Sequence, residues 1–150
     1  MISPARLARN WFFKGLSPTQ VKTLLGVAKQ ASYRAGEKVV VEGEPAETFY
    51  ILAQGAVSIK MRIEEHGEMV LSILKRAGEI FGWSALVEGG RSTGTAECLE
   101  DTQVLFLAKK DLENLFARDP ALGYRFMKRL AGLVSRRLEN TRALLVKQIS

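Results

Sequence analysis

One glycine-rich segment of the chain could place backbone N–H groups and an arginine side chain around the same ligand. It reads RAGEIFGWSAL over residues 76–86 and GGRSTGTA over residues 89–96. A short helix after Gly82 would point free backbone N–H groups at a pocket, and such a helix start favours an anion. Arg91 could close on the same anion with charge-assisted hydrogen bonds. The pattern predicts a small phosphate site, although glycines at this spacing also fit an ordinary turn between two strands.

The inventory of reactive side chains argues against an enzyme. The chain has one His and one Cys, which is too few for the common catalytic triads or for a structural zinc site. Cys98 has no partner for an internal disulfide. We expect it to lie buried in a strand, with a redox sensor as the alternative, and we expect His66 to lie exposed in a turn. No catalytic residue, metal or cofactor is predicted.

Length and composition indicate one soluble domain. The 150 residues are 47% hydrophobic and 25% charged, ordinary values for a globular chain. No apolar run reaches the roughly 18–20 residues of a membrane span. The N-terminus lacks the basic and then apolar pattern of a secretory signal. We therefore expect a cytoplasmic protein that does not associate with a membrane.

The net charge of +6 is concentrated at the C-terminal end. Residues 116–150 hold eight Lys or Arg and two Asp or Glu, so the preceding part of the chain is neutral. Such a segment could attract nucleic acid, an anionic membrane or an acidic ligand. We favour a solvated helix face, because basic residues near a helix C-terminus also suit its dipole.

Periodicity predicts helices at both ends and strands between them. Ser17, Pro18 and Gln20 form a capping-box start for a helix that should run to about Ala31. Residues 57–63 alternate in polarity as a half-buried strand does. Shorter strands are predicted at Val39–Glu42, Phe49–Ala53, Met69–Leu74 and Val104–Ala108, with a hairpin tip at residues 65–68. Short strands separated by turn glycines favour an antiparallel barrel or jelly roll.

A long helix is predicted at the C-terminal end. A short helix at Asp111–Ala117 should stop before Asp119 and Pro120, which restart the helix as N-cap and first helical residue. The second helix would extend to about Gln148, roughly 43 Å at 1.5 Å per residue. Its apolar stripe comprises Leu130, Val134, Leu138, Thr141, Leu145 and Ile149. Because this stripe is longer than the core of such a domain, we expect a coiled coil with a second chain; the alternative is that the tail bends back or frays.

The whole chain resembles the cyclic nucleotide-binding domains of the catabolite-activator type. The likeness rests on the order and spacing of short motifs over about residues 10–148: FKGLS at 13–17, YRAGE at 33–37, VEGEPA at 41–46, FYIL at 49–52, GEIFG at 78–82 and LEDT at 99–102. The resemblance implies a mainly β fold, an eight-stranded antiparallel β-roll of jelly-roll type. N-terminal helices (residues 1–32) would precede the roll (33–109), and C-terminal helices (110–150) would follow it and form a homodimer.

The resemblance also implies a ligand site, with departures at particular positions. Trp83 stands where the family has a glutamate that bonds the ribose 2′-OH. Ser92 stands where the family's phosphate-binding arginine aligns, and Arg91 precedes it by one residue. Thr141 matches a threonine that contacts adenine, whereas the family's following serine is Arg142. The candidate ligand-binding residues are Ile80, Phe81, Gly82, Trp83, Ser84, Ala85, Leu86, Arg91, Ser92, Thr93, Thr141 and Arg142.

Two functions of different kinds follow from these observations. The first is a regulatory sensor that binds cyclic AMP, cyclic GMP or a related phosphate ligand, with the N–H groups of Ser84 and Ala85 on the phosphate. It would signal through its C-terminal helix to a separate effector protein. The second is an interaction module that has lost nucleotide binding, with Trp83 filling the pocket. Direct DNA binding is not expected, because no helix-turn-helix follows residue 150.

Overall fold

Eight short strands between two helical segments make up residues 2–149, the part of the chain that the computed structural model describes. The helices are α1 (Pro4–Leu7), α2 (Pro18–Val27), α3 (Lys109–Arg118) and α4 (Pro120–Ile149), with 3-10 turns at Phe13–Gly15 and Trp83–Leu86. The strands are β1 (Lys29–Tyr33), β2 (Lys38–Val40), β3 (Thr48–Gln54), β4 (Val57–Ile63), β5 (Gly67–Leu74), β6 (Ile80–Phe81), β7 (Thr95–Cys98) and β8 (Thr102–Ala108).

The strands form two antiparallel four-stranded sheets, ordered β1-β8-β3-β6 and β2-β7-β4-β5. Both sheets contribute to one buried apolar cluster: Leu52, Val57, Leu74, Phe81, Ala96, Cys98 and Val104. The side chains that bury the roll therefore come from alternate positions of facing strands, as a half-buried strand pattern requires. The predicted mainly β class, with an eight-stranded antiparallel roll between helices, is confirmed.

The capping signals predicted for the helices are present. The Ser17 hydroxyl accepts the Gln20 N–H at 3.1 Å, and the Gln20 side chain accepts the Ser17 N–H at 2.9 Å. Asp119 caps α4 by accepting the Leu122 N–H at 3.1 Å. The predicted end of α2 was wrong, because α2 stops at Val27. The residues from Lys29 onward pair with β8 instead, and this strand pairing replaces the last predicted helical turn.

All five predicted strands are found, with ends that differ by a few residues. The hairpin tip between β4 and β5 is also as predicted, and Glu65 adopts a positive φ of 66° there. Cys98 lies in β7 and is buried, as expected. Sequence reasoning predicted β7 only as a strand around Cys98, without bounds, and it did not predict β1 and β6. Each is short and lacks alternating polarity, so its pairing partner rather than its own sequence makes it a strand.

Aromatic side chains dock the first half of α4 onto the roll. The Phe126 ring lies 5.0 Å from Phe12, 5.3 Å from Phe49 and 5.0 Å from Phe116, measured between centroids. Phe12, Phe49 and Phe126 are each at most 1% exposed. The N-terminal segment, a roll strand and both C-terminal helices thus meet in one cluster. This cluster fixes where α4 crosses the roll.

Trp11 adds a second attachment between the N-terminal segment and α4. Two guanidinium groups of α4, those of Arg129 and Arg136, lie with their carbons 3.9 Å from the Trp11 ring centroid. Arg129 also donates hydrogen bonds to the carbonyl oxygens of Trp11 and Phe12. A Cβ at Gly132 would lie 3.0 Å from the Trp11 ring. The absence of a side chain at Gly132 therefore lets the indole lie close to the helix.

One face of α4 points away from the roll and is apolar. Leu130, which the sequence placed in the outer stripe, is 5% exposed and belongs to the domain's own core. The exposed apolar side chains of α4 are Tyr124, Met127, Val134, Leu138, Leu145, Val146 and Ile149. With Ala131 and Thr141, the residues from 124 to 145 follow alternating steps of three and four residues. That spacing is the heptad spacing of a coiled coil.

None of the helices within residues 2–149 combines the length and the apolar character that crossing a bilayer requires.

Replacing Phe126 with Ala tests the docking of α4. Removing a ring that is 1% exposed leaves a cavity, so we expect the free energy of unfolding to fall by about 3–5 kcal/mol. Urea unfolding monitored by circular dichroism measures this change. Phe126→Leu retains most of the volume and should lose clearly less. Equal losses in the two variants would contradict tight packing at this position.

Candidate functional site

A cavity opens between the 3-10 turn after β6, the segment that leads into β7, and α4. Its walls include Phe81, Gly82, Trp83 and Ser84 on one side and the run 92–96 on the other. Val40, Ile59 and Leu71 contribute apolar surface, and Arg137 of α4 reaches the cavity from above. The predicted anion-binding segment therefore forms two walls of one cavity. Six of the candidate residues line it: Phe81, Gly82, Trp83, Ser84, Ser92 and Thr93.

Gly82 allows the chain to turn into this cavity. Its φ is +77°, and a Cβ there would lie 2.9 Å from the Thr48 carbonyl oxygen and 2.9 Å from the Tyr50 ring. The Tyr50 ring stacks on Phe81 with centroids 5.1 Å apart. A left-handed backbone conformation and a close approach thus coincide at one residue, and both require glycine.

The sequence predicts that the N–H groups of Ser84 and Ala85 bind an anion, and the 3-10 turn uses one of the two in a hydrogen bond of its own. The Ala85 N–H donates to the Gly82 carbonyl oxygen at 3.2 Å, and Ala85 is fully buried. Ser84 lies at the cavity wall, and its N–H precedes that first intrahelical bond, where helical N–H groups have no partner within the helix. Ser84 is therefore the better placed donor of the pair.

Ser92 lies at the cavity, whereas the neighbouring Arg91, the residue expected to bind an anion, lies outside it. Ser92 is buried and lines the cavity, and its backbone is held by hydrogen bonds to the loop residues Gly43 and Glu44. Arg91 is exposed, and its Nη1 donates to the Gly43 carbonyl oxygen at 2.9 Å. Successive residues of extended chain point in opposite directions. Ser92 therefore faces the cavity, whereas the Arg91 side chain lies against the loop at Gly43.

Arg137 supplies the cation of the cavity, and sequence reasoning did not predict it. Its guanidinium carbon lies 4.9 Å from the centroid of the Trp83 ring, a cation–π distance. Burial lowers the pKa of Arg137, which the nearby Glu79 carboxylate partly offsets. Arginine nevertheless stays protonated in proteins. One signal was available, because residue 137 lies one helical turn before Thr141 and on the same side of α4.

The remaining candidates lie outside the cavity walls. Ile80 is 2% exposed and Leu86 packs against the same helical core, so both support the turn from below. Thr141 is half-buried one turn beyond Arg137, and Arg142 is exposed to solvent. Within one chain, neither side chain lines the cavity.

The lining determines which ligand chemistry fits. It offers one guanidinium, four hydroxyl groups (Ser84, Ser92, Thr93 and Thr95) and an indole face, and none of the lining residues in the described chain is acidic. These groups suit an oxyanion joined to an apolar or planar group. Residues 2–149 hold no cluster of three or more His, Cys, Asp or Glu side chains placed to bind a metal.

Comparison with known proteins agrees with this geometry. The family model of the cyclic nucleotide-binding domain matches residues 30–119, which include the cavity walls except Arg137. The chain belongs to the cyclic nucleotide-binding domain family. It is 30% identical over 126 residues to the cyclic AMP receptor protein of Thermus thermophilus, covering 84% of this chain and 56% of that protein. The chain therefore spans little more than half of that relative's length.

Solved structures share the fold of this family member. The catabolite activator protein of Thermus thermophilus superimposes with a TM-score of 0.76 and 27% identity, over 97% of this chain and 63% of that one. A cyclic nucleotide-binding domain from Methylobacillus flagellatus gives a TM-score of 0.80 at 22% identity, over 88% and 74% of the two chains. The first match extends through the long helix, so α4 is part of the shared architecture.

Gly82→Ala should destabilise the turn that forms the cavity. A left-handed φ alone costs an alanine about 1–2 kcal/mol, and the approach to Thr48 and Tyr50 adds to that loss. Gly89→Ala is the matched control, because Gly89 has a φ of +64° and a Cβ added there would meet no atom within 4 Å. Urea unfolding of both variants separates the two effects. Equal losses would show that the close approach at Gly82 is unimportant.

Proposed function

We propose that this domain binds a cyclic nucleotide, or a related phosphate ester, in the cavity beneath α4 and that α4 transmits occupancy. The observation that carries the proposal is the position of Arg137. It brings a half-buried cation from the helix into the wall of the cavity that the family's glycine-rich turn forms. A phosphate there would be bound by the roll and by the helix together.

The phosphate would be held by groups from three segments. The Ser84 N–H comes from the 3-10 turn, the Ser92 hydroxyl from the opposite wall and the Arg137 guanidinium from α4. Hydrogen bonds between charged partners are roughly twice as strong as neutral ones. Arg137 thus replaces, from a different element, the charge that Ser92 does not provide.

The base and the sugar would meet a different environment. The Trp83 ring offers a flat apolar face, but its single N–H cannot accept a hydrogen bond from a ribose hydroxyl. Losing one buried acceptor costs binding about 1–3 kcal/mol, or about 5- to 150-fold. We therefore propose weaker ribose recognition than a glutamate at this position would give, with Thr141 and Arg142 near the base only if the helix or a second chain brings them closer.

Signalling would use a homodimer formed through α4. The exposed apolar side chains of α4 follow a heptad pattern on the face opposite the roll, and a second α4 helix is the simplest partner for such a face. Arg137 lies next to this face along the helix. A ligand that binds only one position of α4 would shift the population between its positions, and a separate effector protein would read that shift.

The alternative function is a dimerisation or interaction module without a nucleotide ligand. It is favoured by the cavity volume of about 80 Å³, compared with roughly 300–1,000 Å³ for pockets that enclose whole small molecules. The stacked side chains of Trp83 and Arg137 would then fill the space. Nucleotide binding requires this pair to separate, so α4 and the turn must move.

Calorimetric titration with cyclic AMP, cyclic GMP and a cyclic dinucleotide distinguishes the two functions. We expect one of these ligands to bind, and Arg137→Gln to weaken that binding about 10- to 150-fold through loss of a charged hydrogen bond. Arg125→Gln removes the same charge from an exposed position of the same helix that does not line the cavity, and it should bind as the wild type does. Arg91→Ala should also leave binding unchanged.

A folded wild type that binds none of the three ligands would contradict the sensor function. Trp83→Glu then provides the next measurement, because an acceptor at this position restores the ribose contact. Binding that appears only in Trp83→Glu would establish the module without a nucleotide ligand.

Leu138→Asp should dissociate the proposed dimer. Leu138 is 67% exposed in the single chain and lies at the centre of the heptad face, so a charge there would be buried at the interface. Sedimentation equilibrium should give a dimer for the wild type and a monomer for the variant. Ala143→Asp adds the same charge to an exposed position off that face and should remain dimeric. A monomeric wild type would contradict the dimer.

A further inference from the structure

A second, larger cavity lies on the other side of Arg137. Three separate segments enclose it: α1 and the residues that follow it, the loop between β5 and β6, and the middle of α4. Its volume is about 590 Å³. We call it the basic cleft, defined by the six cationic side chains in its walls: Arg6, Arg9, Lys75, Arg76, Arg136 and Arg137. None of its described wall residues belongs to the 3-10 turn Trp83–Leu86.

The positive charge of the basic cleft is not balanced within the described chain. Glu79 is the one carboxylate among its described wall residues. The three ion pairs found in residues 2–149 involve Lys60 or Lys109, so none of them includes a cation of the cleft. Six cations around one cavity repel one another, and a bound anion relieves that repulsion.

The one carboxylate holds part of the cleft in place. Glu79 Oε2 accepts the backbone N–H groups of Lys75 and Arg76, each at 2.9 Å. These two bonds fix the loop between β5 and β6 that carries both cationic side chains. Glu79 therefore orders the wall of the cleft as well as reducing its charge.

Aromatic rings orient two of the guanidinium groups. Arg136 stacks on Trp11 with its central carbon 3.9 Å from the ring centroid, and Arg137 stacks on Trp83 at 4.9 Å. A guanidinium held against a ring keeps its N–H edge free for an anion, and less conformational entropy is lost on binding. Such preorganisation is not expected of cations that simply lie on a solvent-exposed helix face.

We infer that the basic cleft is a binding site for a small polyanion that carries two or more linked phosphate groups. One phosphate would leave most of the six cations unpaired, whereas a chain of phosphates can reach all three walls of a cavity this size. Arginine forks bind phosphate oxygens in pairs, which favours phosphate over a carboxylate of equal charge. This site is separate from the cavity proposed for the cyclic nucleotide, and the two share one wall residue, Arg137.

Titration of the full chain with inorganic tripolyphosphate and with inorganic phosphate tests this inference. We expect tripolyphosphate to bind at least about tenfold more tightly than phosphate, because its additional phosphate groups pair with cations that a single phosphate leaves unpaired. A tenfold difference corresponds to about 1.4 kcal/mol. The double variant Arg9→Gln with Arg76→Gln should lose about tenfold or more in tripolyphosphate affinity. Both residues are exposed and line only the basic cleft, so thermal unfolding and cyclic nucleotide binding should stay unchanged.

A charge-matched control separates a built site from general attraction to a basic protein. Lys22→Gln with Lys38→Gln removes two exposed cations that lie away from the cleft and should bind tripolyphosphate as the wild type does. Equal loss in the two double variants would overturn the inference. So would the absence of tripolyphosphate binding, or a hexaglutamate peptide that binds as tightly as tripolyphosphate, since that result would indicate an acidic protein segment as the partner.

Discussion

The docking of α4 against the N-terminal aromatic segment is the constraint on which both cavities depend. Phe126 is held among Phe12, Phe49 and Phe116, and Trp11 is held by two arginines one and three turns further along the helix. These contacts set the height and rotation of α4 over the roll. Arg137 therefore faces the roll and Arg136 faces the N-terminal segment, while the heptad face of α4 points outward.

Arg137 links the helix to the roll at a single side chain. It lines the cavity beside Trp83 and also the basic cleft. Burial and the stack on Trp83 restrict its position, and no other described residue of the cavity wall carries a positive charge. A ligand that engages this guanidinium necessarily contacts the helix. This geometry provides a physical route from occupancy to helix position, without a requirement for a long chain of intermediate contacts.

Helices and strands were predicted well where the interactions that form them are made by residues close together in the sequence. Ser17 with Gln20, and Asp119 before Pro120, cap their helices as expected. The alternation of residues 57–63 correctly predicted a strand. The end of α2 was missed because Lys29–Tyr33 becomes a strand only through its pairing with β8, a contact about 70 residues away in sequence. Such a long-range partner leaves no periodic signal in the short segment itself.

The cavity was predicted in outline but not in its charge. The glycine-punctuated turn and its opposite wall came from adjacent sequence, so residues 81–84 and 92–93 could be named in advance. Arg91 has the expected residue type, yet the direction of its side chain depends on the loop at Gly43. Arg137 is 45 residues beyond Ser92, and only the packing of α4 brings the two to one cavity. The basic cleft joins three such distant segments, and composition alone recorded only an excess of charge.

Hydrogen–deuterium exchange of α4, measured with and without a saturating cyclic nucleotide, tests most directly whether the helix provides the ligand's cation. If Arg137 binds the phosphate, amide exchange over residues 133–142 should slow together with exchange over residues 81–95. Slower exchange confined to residues 81–95, with α4 unchanged, would contradict the account, because the ligand would then be held by the roll alone.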